Sequence, residues 1–129
     1  MDAGGMATVL ACDVSNQSEV DAVVGKIVRM QGRIDVLVNN AGIAHVGTVA
    51  STSEEDFDRL YRVNVKVAYN LMHAVVPVML SQKGGVILNM ASVAATTGIA
   101  DRFAYSTTKG AILSMTLSVA RDYVKEGIR

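Results

Sequence analysis

The chain has 129 residues and half of them are apolar, so its length suits a single domain that buries a substantial core. Basic and acidic residues number 12 each and form no block of like charge, which excludes an electrostatic footprint for nucleic acid or an anionic membrane surface. The single cysteine, Cys12, cannot form an internal disulfide, and the start of the sequence has no signal-peptide pattern. We therefore expect a cytoplasmic protein with a small-molecule partner, no nucleic acid and no membrane.

The first predicted element is a strand over residues 7–12, ATVLAC, a short apolar run that is typical of a strand buried on both faces. A helix is predicted next, with Ser15 as its candidate N-cap and apolar residues at helical spacing. Gly32 follows the last apolar position and indicates where this helix ends. The run IDVLVNN, residues 34–40, predicts the second strand.

A loop is expected over residues 42–52, followed by a long helical region that starts with the sequence TSEED. Thr52 is its candidate N-cap, and acidic residues in a first turn are favoured by the helix dipole. The apolar pattern continues to about Gln82 and passes through Pro77, the only proline. Because a proline inside a helix removes one backbone donor, we expect a kink there and not an end.

The third predicted strand covers residues 84–92 and the third predicted helix covers residues 103–127. The order β-α-β-α-β-α, with continuously apolar strands, predicts a doubly wound, Rossmann-like α/β fold: a parallel sheet between two layers of helices. In such folds ligands bind beyond the carboxyl ends of the strands. Those ends read CDV, NNAG and MAS, so small and polar residues gather where a ligand is expected.

Four short motifs follow one another along the chain: NNAG at residues 39–42, Asn64 within RVNV, Ser92 at the end of the third predicted strand, and YSTTK at residues 105–109. Each is common by chance, but their order and separations together resemble the short-chain dehydrogenase/reductase family over essentially the whole chain. NNAG favours the classical branch of that family, since the extended relatives usually carry a different motif there. The resemblance implies that residues 1–129 are the central part of a single NAD(P)-binding domain.

Tyr105 and Lys109 are four residues apart, a spacing that places both side chains on one face of a helix. An alcohol that loses a hydride must also lose its hydroxyl proton, so a proton acceptor is needed beside the reacting oxygen. A phenol ordinarily ionises only near pH ~10, and a nearby ammonium group favours the ionised form by charge attraction. The pair is therefore a candidate acid/base, with an ordinary amphipathic helix surface as the alternative.

The resemblance assigns a role to each of the four catalytic candidates. Tyr105 transfers the proton, and Lys109 binds the nicotinamide ribose, so both also count as cofactor-binding residues. Ser92 orients the substrate oxygen, and Asn64 holds a water that connects Lys109 with solvent; capping at a helix break is the alternative for Asn64. The implied activity is that of an NAD(P)-dependent oxidoreductase, which interconverts a secondary alcohol and a ketone by hydride transfer with NAD or NADP as the cofactor.

The remaining cofactor-binding candidates lie at the ends of the first two predicted strands. By resemblance, Asp13 accepts a hydrogen bond from the adenine amino group, with Val14 beside it. Asn40, Ala41 and Gly42 would place small residues and backbone against the adenosine side, where glycine permits close approach. The alternative for Asp13 is a turn aspartate that caps the following helix.

Three other polar residues lie within or between the four motifs. Asn39 is expected to tie neighbouring strands together. His45 follows the NNAG loop and could face a substrate, although exposure to solvent is the alternative, and His73 is expected to pack on a helix. No histidines, cysteines or acids recur at metal-ligand spacing, so no metal site is predicted.

The family's glycine-rich turn and substrate lid have no counterpart in this sequence. Residues 2–5, DAGG, do not match that turn, and the sequence stops at KEGIR before the lid. We therefore expect a fragment that lacks the N-terminal glycine-rich motif and the C-terminal lid. Two alternatives to an active oxidoreductase stay open: a non-catalytic nucleotide-binding regulatory protein on the same fold, and an inactive truncated fragment.

A homodimer or homotetramer is expected for the full-length protein. In the family the two long helices pack against their symmetry mates. Here those helices carry apolar residues more widely than one buried face requires, namely Met72, Val75, Met79, Met115 and Leu117.

Overall fold

Residues 4–129 are described by a computed structural model. Its regular elements are helix α1 (Gln17–Gln31), strand β1 (Val36–Asn39), helices α2 (Glu54–Tyr61) and α3 (Val67–Ser81), strand β2 (Val86–Asn89) and helix α4 (Phe103–Tyr123). A π-helical turn, Arg62–Lys66, joins α2 to α3, and short 3₁₀ turns occupy Val93–Ala95 and Val124–Glu126. The predicted order of helices and strands is confirmed from α1 onward.

The two strands form a parallel pair, with Val36 opposite Val86 and Asn39 opposite Asn89. Helices α1 and α3 pack together through Val20, Val24, Val75, Val76 and Met79, while α3 and α4 pack through Ala68, Met72 and Ile112. Leu37 and Ile87 of the strands contact both groups, so all three helices cover the same face of the sheet. A parallel sheet joined by helical crossovers confirms the predicted fold class.

The opposite face of the sheet is open in residues 4–129. Val36, Val38 and Leu88 are each at least half exposed there. The prediction of helices on both faces is therefore met on one face only in this part of the chain. The reason is topological. The chain passes from β1 directly to its neighbour β2, and the helices of right-handed crossovers that proceed in the same direction across a sheet all lie on one face.

The predicted strand at residues 7–12 is not formed. None of these residues takes part in a backbone ladder with another described residue, and Val9 is 94% exposed. An apolar run becomes a strand only where a neighbouring strand accepts and donates its backbone hydrogen bonds. The described residues supply no such neighbour, so the run has no regular structure although its composition favours one.

The helix ends are close to their predicted positions but use different caps. Asn16, not Ser15, caps α1, because its Oδ1 accepts from the backbone N–H groups of Ser18 and Glu19. Ser53, not Thr52, caps α2, and its hydroxyl accepts from the N–H of Asp56. In both cases the shift is one residue, and it leaves the predicted helices intact.

The long helical region extends from Glu54 to Ser81, as predicted, and includes Pro77. Its length and composition alone would allow it to cross a membrane, a test that a core helix also passes. Leu60, Val67 and Met79 of this region are almost fully buried within the described fold, so it is a core helix. The π-helical turn in its middle was not predicted, and it carries Asn64.

Candidate active site

Lys109 lies in the second turn of α4, beyond the carboxyl end of β2. Its side chain is almost fully buried, at 7% exposure, and its Nζ donates to the carbonyl oxygen of Met90 at 2.6 Å. The same Nζ is 5.8 Å from the centroid of the half-buried Tyr105 ring. The predicted helical spacing therefore does bring the ammonium group and the phenol to one place.

The start of α4 is held by contacts outside the helix. The N–H of Gly47 donates to the carbonyl of Asp101, and the N–H of Phe103 donates to the carbonyl of Gly47. These two bonds attach the loop after β1 to the segment directly before Tyr105. The helix itself begins without a side-chain cap, so these two bonds help to fix the position of the segment that carries Tyr105.

Asn64 is 3% exposed and its side chain joins the loop after β1 to α4. Its Oδ1 accepts from the N–H of Ile43 at 2.8 Å, and its Nδ2 donates to the carbonyl of Ile43 at 2.9 Å and to the Oγ1 of Thr108 at 3.0 Å. Both side-chain donors are thus occupied. The alternative of a helix-break cap does not describe these contacts, because they reach other elements and not the adjacent helix end.

Ser92 follows β2 and begins the 3₁₀ turn Val93–Ala95, which packs against α4. Its Oγ accepts from the N–H of Ala94 at 3.2 Å, so its own hydroxyl hydrogen is free to donate. The backbone at Gly110 lies close to this turn, since a Cβ there would be in ordinary van der Waals contact, at 3.9 Å, with the carbonyl oxygen of Ala95. Ser92 is therefore placed beside the helix that carries Tyr105 and Lys109.

A small cavity of about 60 Å³ lies at the carboxyl ends of the strands. Val14, Asn40, Ala41, Asn64, Met90 and Lys109 are among the residues that line it. Gly42 lies beside it: a Cβ at this position would lie 3.3 Å from Oδ1 of Asn64 and 3.7 Å from Nζ of Lys109. Most of the predicted cofactor-binding residues thus meet at one cavity, whereas Asp13, Ser92 and Tyr105 lie outside its lining.

Asp13 forms a turn of its own at the entrance to α1. One carboxylate oxygen accepts from the N–H and the hydroxyl of Ser15, at 2.9 and 2.8 Å, and these two hydrogen bonds lower the pKa of Asp13. Its backbone N–H donates to the carboxylate of Glu19. Asp13 does not cap α1, because Asn16 does so, and its carboxylate is exposed to solvent.

Asn39 confirms the prediction that it ties neighbouring strands together. Its Nδ2 donates to Oδ1 of Asn89 at 2.7 Å, and Asn89 in turn donates to Oγ1 of Thr116 on α4. Sequence reasoning missed Asn89, Thr108 and the buried Asn70. A single asparagine or threonine within an apolar run is a signal for such residues, but the partner 20 or more positions away cannot be read from the run itself.

The two histidines lie apart from the catalytic candidates. His73 is on the exposed side of α3 and stacks on Tyr69, with ring centroids 5.5 Å apart. His45 lies in the loop after β1, and its Nε2 is buried without a hydrogen-bond partner among residues 4–129. Within those same residues no three histidine, cysteine or acidic side chains come close enough together to hold a metal ion.

A parallel sheet with helical crossovers and a cavity at the carboxyl ends of its strands is typical of the nucleotide-binding class of α/β proteins. Comparison with known proteins narrows this class. The profile of the short chain dehydrogenase family matches residues 1–129. The chain belongs to that family.

Individual relatives agree with this assignment. The chain is 45% identical to 2-(R)-hydroxypropyl-CoM dehydrogenase of Xanthobacter autotrophicus over 91% of this chain and 48% of that protein. It superposes on NAD⁺-bound xylitol dehydrogenase with a TM-score of 0.94 at 37% identity, over 98% of this chain and 49% of the other. A metagenomic short-chain oxidoreductase in complex with NADP gives a TM-score of 0.92 at 34% identity, over 98% and 58%. The chain spans about half the length of the curated relatives it matches.

Proposed function

We propose that the whole protein is an NAD(P)-dependent oxidoreductase that interconverts a secondary alcohol and a ketone, with Tyr105 as the acid/base. The observation that carries the proposal is the buried ammonium group of Lys109, which is anchored on Met90 and lies 5.8 Å from the centroid of the Tyr105 ring. A lysine is rarely buried without a counter-ion, and this one faces a cavity at the ligand-binding edge of the sheet. Membership of the family supports the same activity.

Tyr105 and Lys109 have different roles in the proposed reaction. In the oxidation direction the ionised phenol accepts the hydroxyl proton of the substrate as the O–H bond breaks, and the carbonyl double bond forms. The bound nicotinamide supplies the hydride acceptor for the carbinol hydrogen. Lys109 donates one N–H to the carbonyl oxygen of Met90, which leaves two donors for ribose hydroxyls.

Ser92 and Asn64 support this centre in different ways. The free hydroxyl hydrogen of Ser92 donates to the substrate oxygen and stabilises negative charge on it. Asn64 has no free side-chain donor, so a water beside Lys109 would have to donate to its Oδ1 or be held by its backbone. The assigned role as a proton-relay residue therefore rests on acceptor groups alone.

NAD or NADP is the proposed cofactor, and only a small part of it would lie against the residues that line this cavity of about 60 Å³. Val14, Asn40 and Ala41 line its wall together with Lys109, and Gly42 keeps the backbone close to that lysine. Solved relatives with similar structures carry NAD⁺ or NADP. In our proposal the exposed carboxylate of Asp13 accepts a hydrogen bond from the adenine amino group. It does so through the carboxylate oxygen that is not bonded to Ser15.

A small secondary alcohol is the proposed substrate class. Two relatives are named as dehydrogenases of 2-(R)-hydroxypropyl-CoM and of xylitol. The net charge of the chain is zero, which suits a neutral or weakly charged substrate. We place the protein in the cytoplasm, where reduced cysteines and dinucleotide cofactors are both present.

We further propose a homodimer or homotetramer, with the groove between α3 and α4 as the contact surface. The groove measures about 520 Å³, and Tyr69, Pro77 and Met115 are among its lining residues. The sequence-based choice of contact residues needs correction here. Val75 and Met79 are at most 2% exposed because they pack in the core with α1, and Leu117 is 64% exposed but does not line the groove. Met72 and Met115 do line it, although Met72 is only 5% exposed.

The test is the variant Tyr105→Phe in the whole protein, with Tyr123→Phe on the same helix as the matched control. Turnover is assayed as cofactor reduction over a panel of secondary alcohols that includes xylitol and propan-2-ol. Loss of the acid/base should lower kcat by about 10²- to 10⁴-fold in Tyr105→Phe and leave the control unchanged. Unchanged turnover in Tyr105→Phe would refute its role. Tight cofactor binding without turnover of any panel member would instead favour the regulatory alternative.

A further inference from the structure

Asn70 is a buried polar residue in the middle of α3 that belongs to none of the family motifs. It is 1% exposed, and its Nδ2 donates to the carbonyl oxygen of Val14 at 3.0 Å, across 56 positions of sequence. Its Oδ1 is buried and has no partner within residues 4–129. A buried amide with an unpaired acceptor is costly, so core stability alone does not explain an asparagine at this position.

The segment that Asn70 holds is the turn between residue 13 and the start of α1. Within that turn the hydrogen bonds are local: Asp13 binds Ser15, and the N–H of Asn16 donates to the carbonyl of Asp13. The bond from Asn70 to Val14 is different, because it anchors the turn to another element. The side chain of Gln17 adds a second link, since its Nε2 donates to the backbone carbonyl of Asn70 at 3.3 Å.

This anchor determines where one wall of the cavity stands. Val14 and Lys109 both line the cavity. The helical region that carries Asn70 also carries Asn64, which holds the loop after β1 and α4. One continuous helical region therefore holds two parts of the cavity lining. Asn70 holds the turn that contains Val14, and Asn64 holds α4, which contains Lys109.

We propose that Asn70 is a positioning residue for the adenine end of the dinucleotide, acting through Val14 and Asp13. The inference rests on the proposed function, since it needs the dinucleotide to bind at this edge of the sheet. Asn70 does not touch the cofactor. The hydrogen bond that its Nδ2 donates fixes the position of the turn that carries Asp13 relative to Lys109. An apolar residue of the same size would fill the space without fixing the turn.

The experiment compares two ligand fragments on the whole protein by calorimetry. ADP-ribose contains the adenine end, and nicotinamide mononucleotide contains only the other end. In Asn70→Leu the Kd for ADP-ribose should rise by about five- to tenfold, the effect of losing one hydrogen bond, while the Kd for nicotinamide mononucleotide stays unchanged. Asn70→Ala serves as a second variant if the leucine does not fit the site.

Met72→Ala is the matched control, because Met72 is equally buried on the same helix but packs toward α4 and not toward Val14. It should lower the melting temperature and leave both Kd values as in the wild type. An unchanged Kd for ADP-ribose in a folded Asn70 variant, or an equal loss in Met72→Ala, would overturn the inference. A wild-type protein that binds neither fragment would overturn the proposed function itself, and the inference with it.

Discussion

At the scale of single residues, Asn64 illustrates how one buried amide organises the site. All three of its hydrogen bonds reach Ile43 or Thr108, so it joins the loop after β1 to the helix that carries the lysine. Its importance could be predicted from the family resemblance. Its contacts could not, because they depend on partners 21 and 44 positions away.

Asn64→Ala should lower the free energy of unfolding of the whole protein by about 2–4 kcal/mol. The reason is that the backbone groups of Ile43 and the hydroxyl of Thr108 lose their partner in a buried place, and each such loss costs about 1–3 kcal/mol before relaxation. Urea denaturation measures the change. A loss below about 0.5 kcal/mol, the size of an ordinary surface effect, would show that the three bonds contribute little.

The carboxylate of Asp13 gives a second prediction at this scale. Its pKa is lowered by hydrogen bonds from the side chain and the backbone of Ser15, and the side-chain bond is the larger cause. Ser15→Ala removes that bond and should raise the pKa of Asp13 toward its ordinary value. Because a lowered carboxyl pKa stabilises the fold only above that pKa, the difference in stability between the two proteins should vanish as the pH falls through it. Carbon-13 NMR titration of the Asp13 carboxyl measures the pKa, and an unchanged pKa would contradict the assignment.

At the scale of elements, helices were predicted well and strands less well. The helix from Gln17 to Gln31 follows from local signals: apolar periodicity, a polar cap and a terminal glycine. The run at residues 7–12 failed as a strand because strand formation depends on a neighbour that the described residues do not contain. The π-helical turn at Arg62–Lys66 left no sequence signal that we recognised, although it carries a predicted site residue.

Two glycines of α1 should respond to alanine in opposite directions. Gly32 ends the helix with φ of 78°, a left-handed conformation in which alanine is strained, so Gly32→Ala should destabilise the protein by about 1 kcal/mol. Gly25 lies inside the same helix, where alanine is the better helix former, so Gly25→Ala should stabilise it by up to about 1 kcal/mol. Thermal unfolding of both variants gives the two signs. Equal signs would show that the ends of this helix are not fixed as described.

At the scale of the whole molecule, two apolar surfaces remain on residues 4–129. One is the open face of the sheet, and the other is the groove between α3 and α4, which is lined by Tyr69 and Met115. The sequence predicted that the two long helices carry apolar residues more widely than one buried face requires. It could not predict which of them are buried, since Met72 and Met115 look alike in the sequence and differ only through packing.

If the groove is the contact surface, Met115→Arg should reduce the mass of the whole protein in light scattering to that of a smaller assembly. A charge buried in an apolar interface without a partner costs far more than the contact gains. Val124→Glu, which places a charge on an exposed apolar residue outside the groove, is the control and should leave the mass unchanged. A monomeric wild-type protein, or an unchanged mass in Met115→Arg, would contradict this contact surface.

Hydride transfer between the carbinol carbon and the nicotinamide ring is tested most directly by isotope labelling. The whole protein is incubated with NAD⁺ or NADP⁺ and secondary alcohols of the panel that carry deuterium at the carbinol carbon, and the reduced cofactor is analysed by mass spectrometry. One deuterium per reduced cofactor is expected with the wild-type protein and with Tyr123→Phe, and almost no reduced cofactor with Tyr105→Phe. Reduced cofactor without deuterium, or as much reduced cofactor with Tyr105→Phe as with the wild-type protein, would contradict the proposed chemistry.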